Sequence, residues 1–263
     1  PTFHYSDALI APDLSTRYLR AASGAALLSQ SPSPGYFETS EYLIGSAAVG
    51  VVFLESNGTV DSSTEDWTST RESWVVGNIS SGLSWLAGYY LNASVSFVYD
   101  IHYGVPTSYE PITRPYTNES LWIGEAMAYL GYSGTYYFTQ VRDYVNSLRV
   151  TNGTDWAFAI FVVDSLNDAD GKFSDNYFAY AYLGGPFLVV TYDNDNYGIS
   201  NMDWVSVHET AHIFYATDEY DNVVQNSGYL NAPDTQFTTN CIMGQTSLPG
   251  SLPWNICSNT QLQ

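Results

Sequence analysis

The segment VHETAHIFYATDEY, residues 207–220, contains two of the four histidines in the chain, four positions apart, with a glutamate directly after the first. On a helix, His208 and His212 stand one turn apart on the same face, so both imidazoles can bind one tetrahedral zinc ion. Zinc lowers the pKa of a bound water, and Glu209 is placed to accept that proton as a general base. The spacing therefore predicts a zinc site that hydrolyses peptide bonds.

A third protein ligand has to come from beyond this pair of histidines. Asp218 lies six residues after His212, where a chain that leaves the helix would turn back towards the metal. If the helix instead continues further, Glu219 is the alternative metal ligand. Tyr215 stands where the turn would be made, and a bulky residue at positive φ is strained. The residues alone leave both carboxylates open.

This spacing resembles the metzincin clan of zinc peptidases, in the variety with aspartate as third ligand. In the segment NCIMG, Met243 follows His212 by thirty-one residues, much like the Met-turn that lies under the metal in that clan. Asp-Glu-Tyr after the helix is similar to the immunoglobulin-A-specific metallopeptidases. The resemblance implies a zinc ion held by His208, His212 and Asp218, with Glu209 as the catalytic residue.

The chain departs from the family pattern at two positions. Tyr215 stands where the family has a glycine at the turn. Gln245 stands two residues after Met243, where some subfamilies have a tyrosine that stabilises the oxyanion. Tyr220 is a candidate to replace that tyrosine.

The elements before the histidine helix follow an α/β order. Ser200 and Asp203 fit a capping box that would begin the histidine helix. Strand, helix, strand, two helices, strand and a hairpin at Gly184-Gly185 predict a twisted sheet with helices packed on it. The predicted strands are 46–56, 93–103, 155–164 and two within 176–193, and the predicted helices lie within 61–90, 121–132 and 136–150, with a further helix at 14–28.

The resemblance to metzincins adds detail to this architecture. It implies a mixed sheet with an antiparallel edge strand, an active-site helix that carries the histidines, and a small C-terminal subdomain. We expect residues 1–45 to be an N-terminal extension or pro-segment remnant, and 46–263 the catalytic domain, divided into 46–220 and 221–263. Phe178, Tyr180 and Tyr182 would lie on the edge strand that binds an extended peptide, or else in an ordinary core face.

Composition limits the kinds of partner that the chain can bind. It has 27 acidic residues and only 7 lysines and arginines, giving a net charge of −20. So few cations cannot neutralise phosphates, which argues against nucleic acid as a partner. No apolar run approaches the length of a membrane span. We expect an extracellular protein, secreted or at the cell surface, with a protein or peptide substrate and with self-association through strand edges as a further expectation.

Cysteines, sequons and an acidic loop suggest further modifications and ligands. In an oxidising compartment Cys241 and Cys257 would form one disulfide, and two lone thiols are the alternative. Asp168, Asp170 and Gly171 resemble part of a calcium loop, which makes Ca²⁺ a second candidate ion, although an Asp-Gly turn accounts for them as well. Five sequons predict a glycoprotein, at Asn57, Asn78, Asn92, Asn118 and Asn152.

Three functions fit these observations. The first is a secreted zinc endopeptidase that uses metal-activated water and Glu209. The second is a catalytically silent peptidase-fold protein that serves as a cell-surface or self-assembling structural subunit. The third is a zinc hydrolase of another clan with Glu219 as ligand. The presence of Glu209 favours the first.

Overall fold

A computed structural model describes residues 8–9, 11–12, 35–40, 42–89, 94–195, 197–219, 241–244, 254–257 and 260. The helix predicted at 14–28, the sequon at Asn92, and the residues Tyr220 and Gln245 lie outside these ranges. Among the described residues, no helix combines the length and the apolarity that crossing a membrane requires.

Among the described residues, six strands form one mostly parallel sheet at the centre of the fold. The strands, in chain order, are β1 (Ala8–Leu9), β2 (Ser46–Ser56), β3 (Ser96–Thr107), β4 (Trp156–Val163), β5 (Ala179–Tyr182) and β6 (Phe187–Thr191). Their spatial order is β1-β5-β6-β4-β2-β3, and β5 and β6 form the antiparallel pair. The β2 and β4 strands are almost entirely buried, which explains their continuous runs of apolar residues.

In the described part of the chain, four α-helices cover the two faces of the sheet. They are α1 (Ser69–Tyr89), α2 (Glu119–Tyr129), α3 (Tyr137–Asn152) and α4 (Met202–Ile213). Apolar residues of α1 and α4 pack on one face of the sheet, and those of α2 and α3 pack on the other. Alternate residues of β2 supply both layers, since Val49 and Val51 face α1 and α4 while Ala48 and Val52 face α2 and α3. The predicted α/β class is confirmed.

The strand before the hairpin differs from the prediction of an exposed edge. Phe178, Tyr180 and Tyr182 are buried, and β1 pairs in parallel with the outer side of β5. The hydroxyls of Tyr180 and Tyr182 donate to the buried carboxylate of Glu119, at 2.6 and 2.5 Å. These tyrosines are therefore core residues whose polar ends are satisfied by α2, and the interpretation as an ordinary core face is the correct one.

Helix α4 begins close to α1. A Cβ atom added at Gly82 of α1 would lie 2.5 Å from the carbonyl oxygen of Asp203 in the first turn of α4. Only a glycine permits this approach of two helix backbones. The capping box predicted for Ser200 and Asp203 is wrong. The 3₁₀ turn Ile199–Asn201 leads into the helix instead, and Asp203 accepts the N–H of Trp204.

Candidate metal centre

The end of α4 is built by Tyr215. The helix ends at Ile213, and Tyr215 adopts φ +68°, a left-handed conformation typical of a helix C-terminus. Its N–H donates to the carbonyl of His212 at 2.9 Å, its ring is fully buried, and its hydroxyl donates to Glu38 Oε2 at 2.7 Å. A tyrosine thus makes the turn that glycine usually makes, because burial and a hydrogen bond offset the strain. The chain then folds back towards the histidines.

Asp218 meets the two histidines at the distances of a tetrahedral site. Its Oδ1 atom lies 3.2 Å from Nε2 of His208 and 3.3 Å from Nε2 of His212. Ligands bound to zinc at 2.0–2.1 Å in a tetrahedron are separated by about 3.3–3.4 Å, so these three atoms match one zinc ion. All three side chains are buried. The structure therefore brings together the three residues predicted as metal ligands, and they fit the ion.

The other nitrogen of each imidazole is held by a backbone carbonyl. His208 Nδ1 lies 2.8 Å from the carbonyl oxygen of Ile242, and His212 Nδ1 lies 2.7 Å from that of Ala216. A carbonyl only accepts, so each Nδ1 carries the hydrogen and each Nε2 keeps its lone pair for a metal. The sequence pattern does not reveal these acceptors, although the nearness of Ile242 to Met243 is a signal for the first.

The electrostatics of the pocket favour a charged aspartate. Burial raises the pKa of Asp218, but the positive charge and the hydrogen bonds that His212 and His208 supply when protonated lower it by more, and the net pKa lies well below its usual range. Asp218 is therefore an anion at any physiological pH. An anion beside two imidazole lone pairs is the donor set that a zinc ion takes.

Glu209 follows His208 on α4 and is buried, at 1% exposure. Met243 is fully buried in the core layer that also contains α4, and its carbonyl accepts the N–H of Glu219 at 2.9 Å. The turn that contains Met243 therefore packs against both ends of the site. The carbonyl of Ile242 orients His208, and the carbonyl of Met243 holds Glu219, the residue after Asp218.

Comparison with solved structures finds similar chains, and one of them is a metalloproteinase. The chain is similar to the crystal structure of metalloproteinase-II from Bacteroides fragilis. The TM-score is 0.33 and the sequence identity 10%. The match covers 81% of this chain and 54% of that one, so the chain spans about half the length of that protein. No family model matches the chain, and neither does any curated protein.

Glu219, the alternative ligand, is directed away from the histidines. Its carboxylate accepts the hydroxyl of Thr260 at 2.6 Å and lies 3.0 Å from Sγ of Cys257. The predicted disulfide is not formed, because Cys241 and Cys257 are both free thiols. Their sulfurs face the carboxylate and Thr260 instead of bonding to each other, and burial raises the pKa of Cys241 to about 12.

Strand β1 reaches the candidate metal centre. The backbone N–H of Ala8 donates to Oδ2 of Asp218 at 3.3 Å, and the carbonyl of Leu9 accepts the N–H of Leu183 at 2.8 Å. A segment of this chain therefore lies along β5, the strand where the sequence predicts an extended peptide to bind. No pattern in the sequence points to Ala8, because its contact is made through the backbone.

The other candidate sites are placed as follows. Asp168 Oδ1 accepts the N–H groups of Asp170 and Gly171, an Asp-Gly turn, and the ammonium of Lys172 lies 3.0 Å from Asp195. Calcium stays a prediction at this loop. Glycosylation is also a prediction. Among the described sequons, Asn57 and Asn152 are exposed, and Asn78 and Asn118 are half-buried.

Proposed function

We propose that this chain is a zinc-dependent endopeptidase of metzincin type. The observation that carries the proposal is the position of Asp218 Oδ1, 3.2 and 3.3 Å from the Nε2 atoms of His208 and His212. Two imidazole Nε2 atoms and one anionic carboxylate oxygen at these distances form the ligand set of a zinc hydrolase, which leaves a fourth position for water.

His208, His212 and Asp218 would hold the ion. A bound zinc supplies a water of lowered pKa and polarises the scissile carbonyl. Glu209, the buried residue next to His208, would serve as the general base that takes up a proton from water and passes it to the nitrogen of the leaving amine. Ala216 and Ile242 keep both imidazoles in the tautomer that presents Nε2 to the site.

A cleavage assay tests the role of Glu209. The parent and Glu209→Gln are incubated with casein across about pH 5 to 8, the range around the carboxylate and histidine pKa values. We expect the variant to lose roughly 10²–10⁴-fold in rate, the usual contribution of a general base, while it keeps its zinc. Glu72→Gln, on α1 outside the candidate centre, is the matched control. Equal rates in the parent and Glu209→Gln would contradict the proposal.

The free edge of β3 favours a second candidate function. Within the described part of the chain, β3 pairs only with β2, and its exposed side chains include Val98, Tyr99 and Tyr103. A long exposed edge with aromatic residues is a surface for strand addition. A catalytically silent subunit at the cell surface would self-associate here. Sedimentation of the parent and Tyr99→Lys distinguishes this structural subunit from the peptidase. Only the structural subunit is expected to form oligomers that dissociate in Tyr99→Lys.

We propose an extracellular location and a protein or peptide substrate. Support comes from the net charge of −20 and from the exposed sequon asparagines Asn57 and Asn152. Release of glycans from protein secreted by a eukaryotic host tests the location. A mass decrease on glycosidase treatment that is abolished by the asparagine variants supports it.

A further inference from the structure

His208, His212 and Asp218 together are called the histidine centre below. A second cluster of potential metal ligands lies next to it. It comprises Glu219, Cys241 and Cys257, with the hydroxyl of Thr260 among them. Cys257 Sγ lies 3.0 and 3.2 Å from the two carboxylate oxygens of Glu219, and Cys241 Sγ lies 3.1 Å from Thr260 Oγ1. Glu219 and Cys241 are buried, and Cys257 is half-buried. We call these four residues the thiol cluster.

The spacing of the thiol cluster fits one ion. The two sulfurs and a carboxylate oxygen all lie within 4.8 Å of one another. Two sulfurs bound to zinc at 2.3 Å in a tetrahedron are about 3.8 Å apart, within that limit. Two thiols and one carboxylate form a softer donor set than the imidazoles and aspartate of the first site, and soft donors select thiophilic cations.

We propose that Glu219, Cys241 and Cys257 bind a second divalent cation of the zinc class. When the ion binds, both thiols ionise and release two protons to solvent, and the sulfurs and one carboxylate oxygen become ligands. Thr260 lies beside the fourth coordination position of the ion. Its hydroxyl either becomes a ligand or continues to donate a hydrogen bond to Glu219. No bond between the sulfurs forms and no electron is transferred, so the step needs no oxidant.

An ion at the thiol cluster would join three segments that are distant in sequence. Glu219 directly follows Asp218, and Cys241 precedes Ile242, whose carbonyl orients His208. Cys257 adds the 254–257 segment, in which the backbone carbonyl of Asn255 accepts the N–H of Ile242 at 2.8 Å. The ion is therefore structural and holds the surroundings of the histidine centre in place. This proposal does not depend on the chemistry at that centre.

Native mass spectrometry with zinc or cadmium alone as the probe tests the proposal. The protein is purified without reductant, and three variants accompany the parent: His212→Ala, Cys257→Ser and the double variant. We expect the parent to bind two ions, each single variant one, and the double variant none. If His212→Ala alone leaves the count unchanged, the histidine site fails and the thiol cluster survives.

A spectroscopic measurement keeps the proposal falsifiable if Cys257→Ser does not fold. Cobalt(II) bound to thiolates gives an intense near-ultraviolet charge-transfer band that nitrogen and oxygen ligands do not give. We expect this band in the parent and in His212→Ala, together with protection of both thiols from a thiol reagent. An intact mass two hydrogens below the reduced mass, with no reactive thiols, would mean a disulfide and would overturn the proposal, as would the absence of the band.

Discussion

Tyr215 decides which carboxylate faces the histidines. Because its backbone turns left-handed directly after the helix, the chain reverses and Asp218 returns to the imidazoles while Glu219 points the other way. The ring is fully buried and the hydroxyl bonds to Glu38, so the tyrosine is held in a conformation that it would otherwise avoid. A single strained residue thus separates the two neighbouring clusters.

Replacing Asp218 by asparagine tests this assignment at the residue scale. The amide keeps the shape but loses the charge that two imidazoles stabilise, so metal affinity at the histidine centre should fall by at least the roughly 10–100-fold seen when even supporting partners are lost. Competition with a chelator measures it. Asp203→Asn, at the opposite end of α4, is the control and should bind as the parent does. An unchanged metal affinity in Asp218→Asn would mean that Asp218 is not a metal ligand.

At the scale of elements, contact between α1 and α4 fixes the helix that carries the histidines. Gly82 allows the backbone of α4 to come close, and the residues around it fill the layer between the two helices. A side chain at this point would have to move α4, and with it His208 and His212, away from α1.

Two glycine substitutions on α1 test this packing. Gly82→Ala should destabilise the fold by about 1–3 kcal/mol, since its Cβ would lie 2.5 Å from a backbone oxygen. Gly77→Ala, on the same helix with nothing within 4 Å, should stabilise it by about 0.5–1 kcal/mol. Denaturant unfolding measures both. Equal effects of the two substitutions would contradict the close approach.

Strand β1 gives a second test at this scale, which rests on the proposed peptidase activity. Proline at Ala8 removes the N–H that bonds to Asp218 and weakens the pairing with β5. If a peptide substrate uses the same edge, Ala8→Pro should lower KM for casein peptides several-fold while kcat stays constant. Ala8→Gly retains the N–H and is the control. A KM unchanged by proline would mean that substrate binds elsewhere.

The sequence pattern predicts helices and strands well where a whole element is uniformly buried. It predicts the chain path less well where a single residue determines a turn. The apolar runs of β2 and β4 and the helical spacing of His208 and His212 carry their own signal. Tyr215 gives the opposite signal, because its strain is relieved by Glu38, 177 residues away. The thiol cluster was likewise hidden, since the cysteines also suit a disulfide and Thr260 has no motif.

At the scale of the whole molecule, several buried or half-buried carboxyl groups have a raised pKa. Burial is the largest cause of a raised pKa in each, and for Glu110 it raises the pKa to about 7. Glu110 accepts the N–H groups of Thr64 and Glu65 at 2.9 and 3.2 Å, and these hydrogen bonds reverse only part of the upward pKa shift that burial causes. Glu55, Glu65, Glu119 and Asp164 share the upward shift.

These shifts predict that mild acid stabilises the protein. Between about pH 4.5 and 7 the folded state holds protons that the unfolded chain has released, so the free energy of unfolding should fall as pH rises through this window. Glu110 should account for roughly 1–2 kcal/mol after allowance for screening. Urea unfolding at pH 5 and pH 8 measures it. Glu110→Gln should flatten the dependence, and a parent equally stable at both pH values would contradict this reasoning.

The most direct test of the metal centre is zinc content by plasma mass spectrometry on the parent, His212→Ala and His102→Ala. His102 is the matched control, a histidine on β3 that bonds to Asp100 at 2.7 Å. We predict that His212→Ala contains one zinc ion fewer per chain than the parent, and that His102→Ala contains as many as the parent. Equal zinc in all three proteins, or none in the parent after purification without chelators, would contradict a metal site at His208, His212 and Asp218.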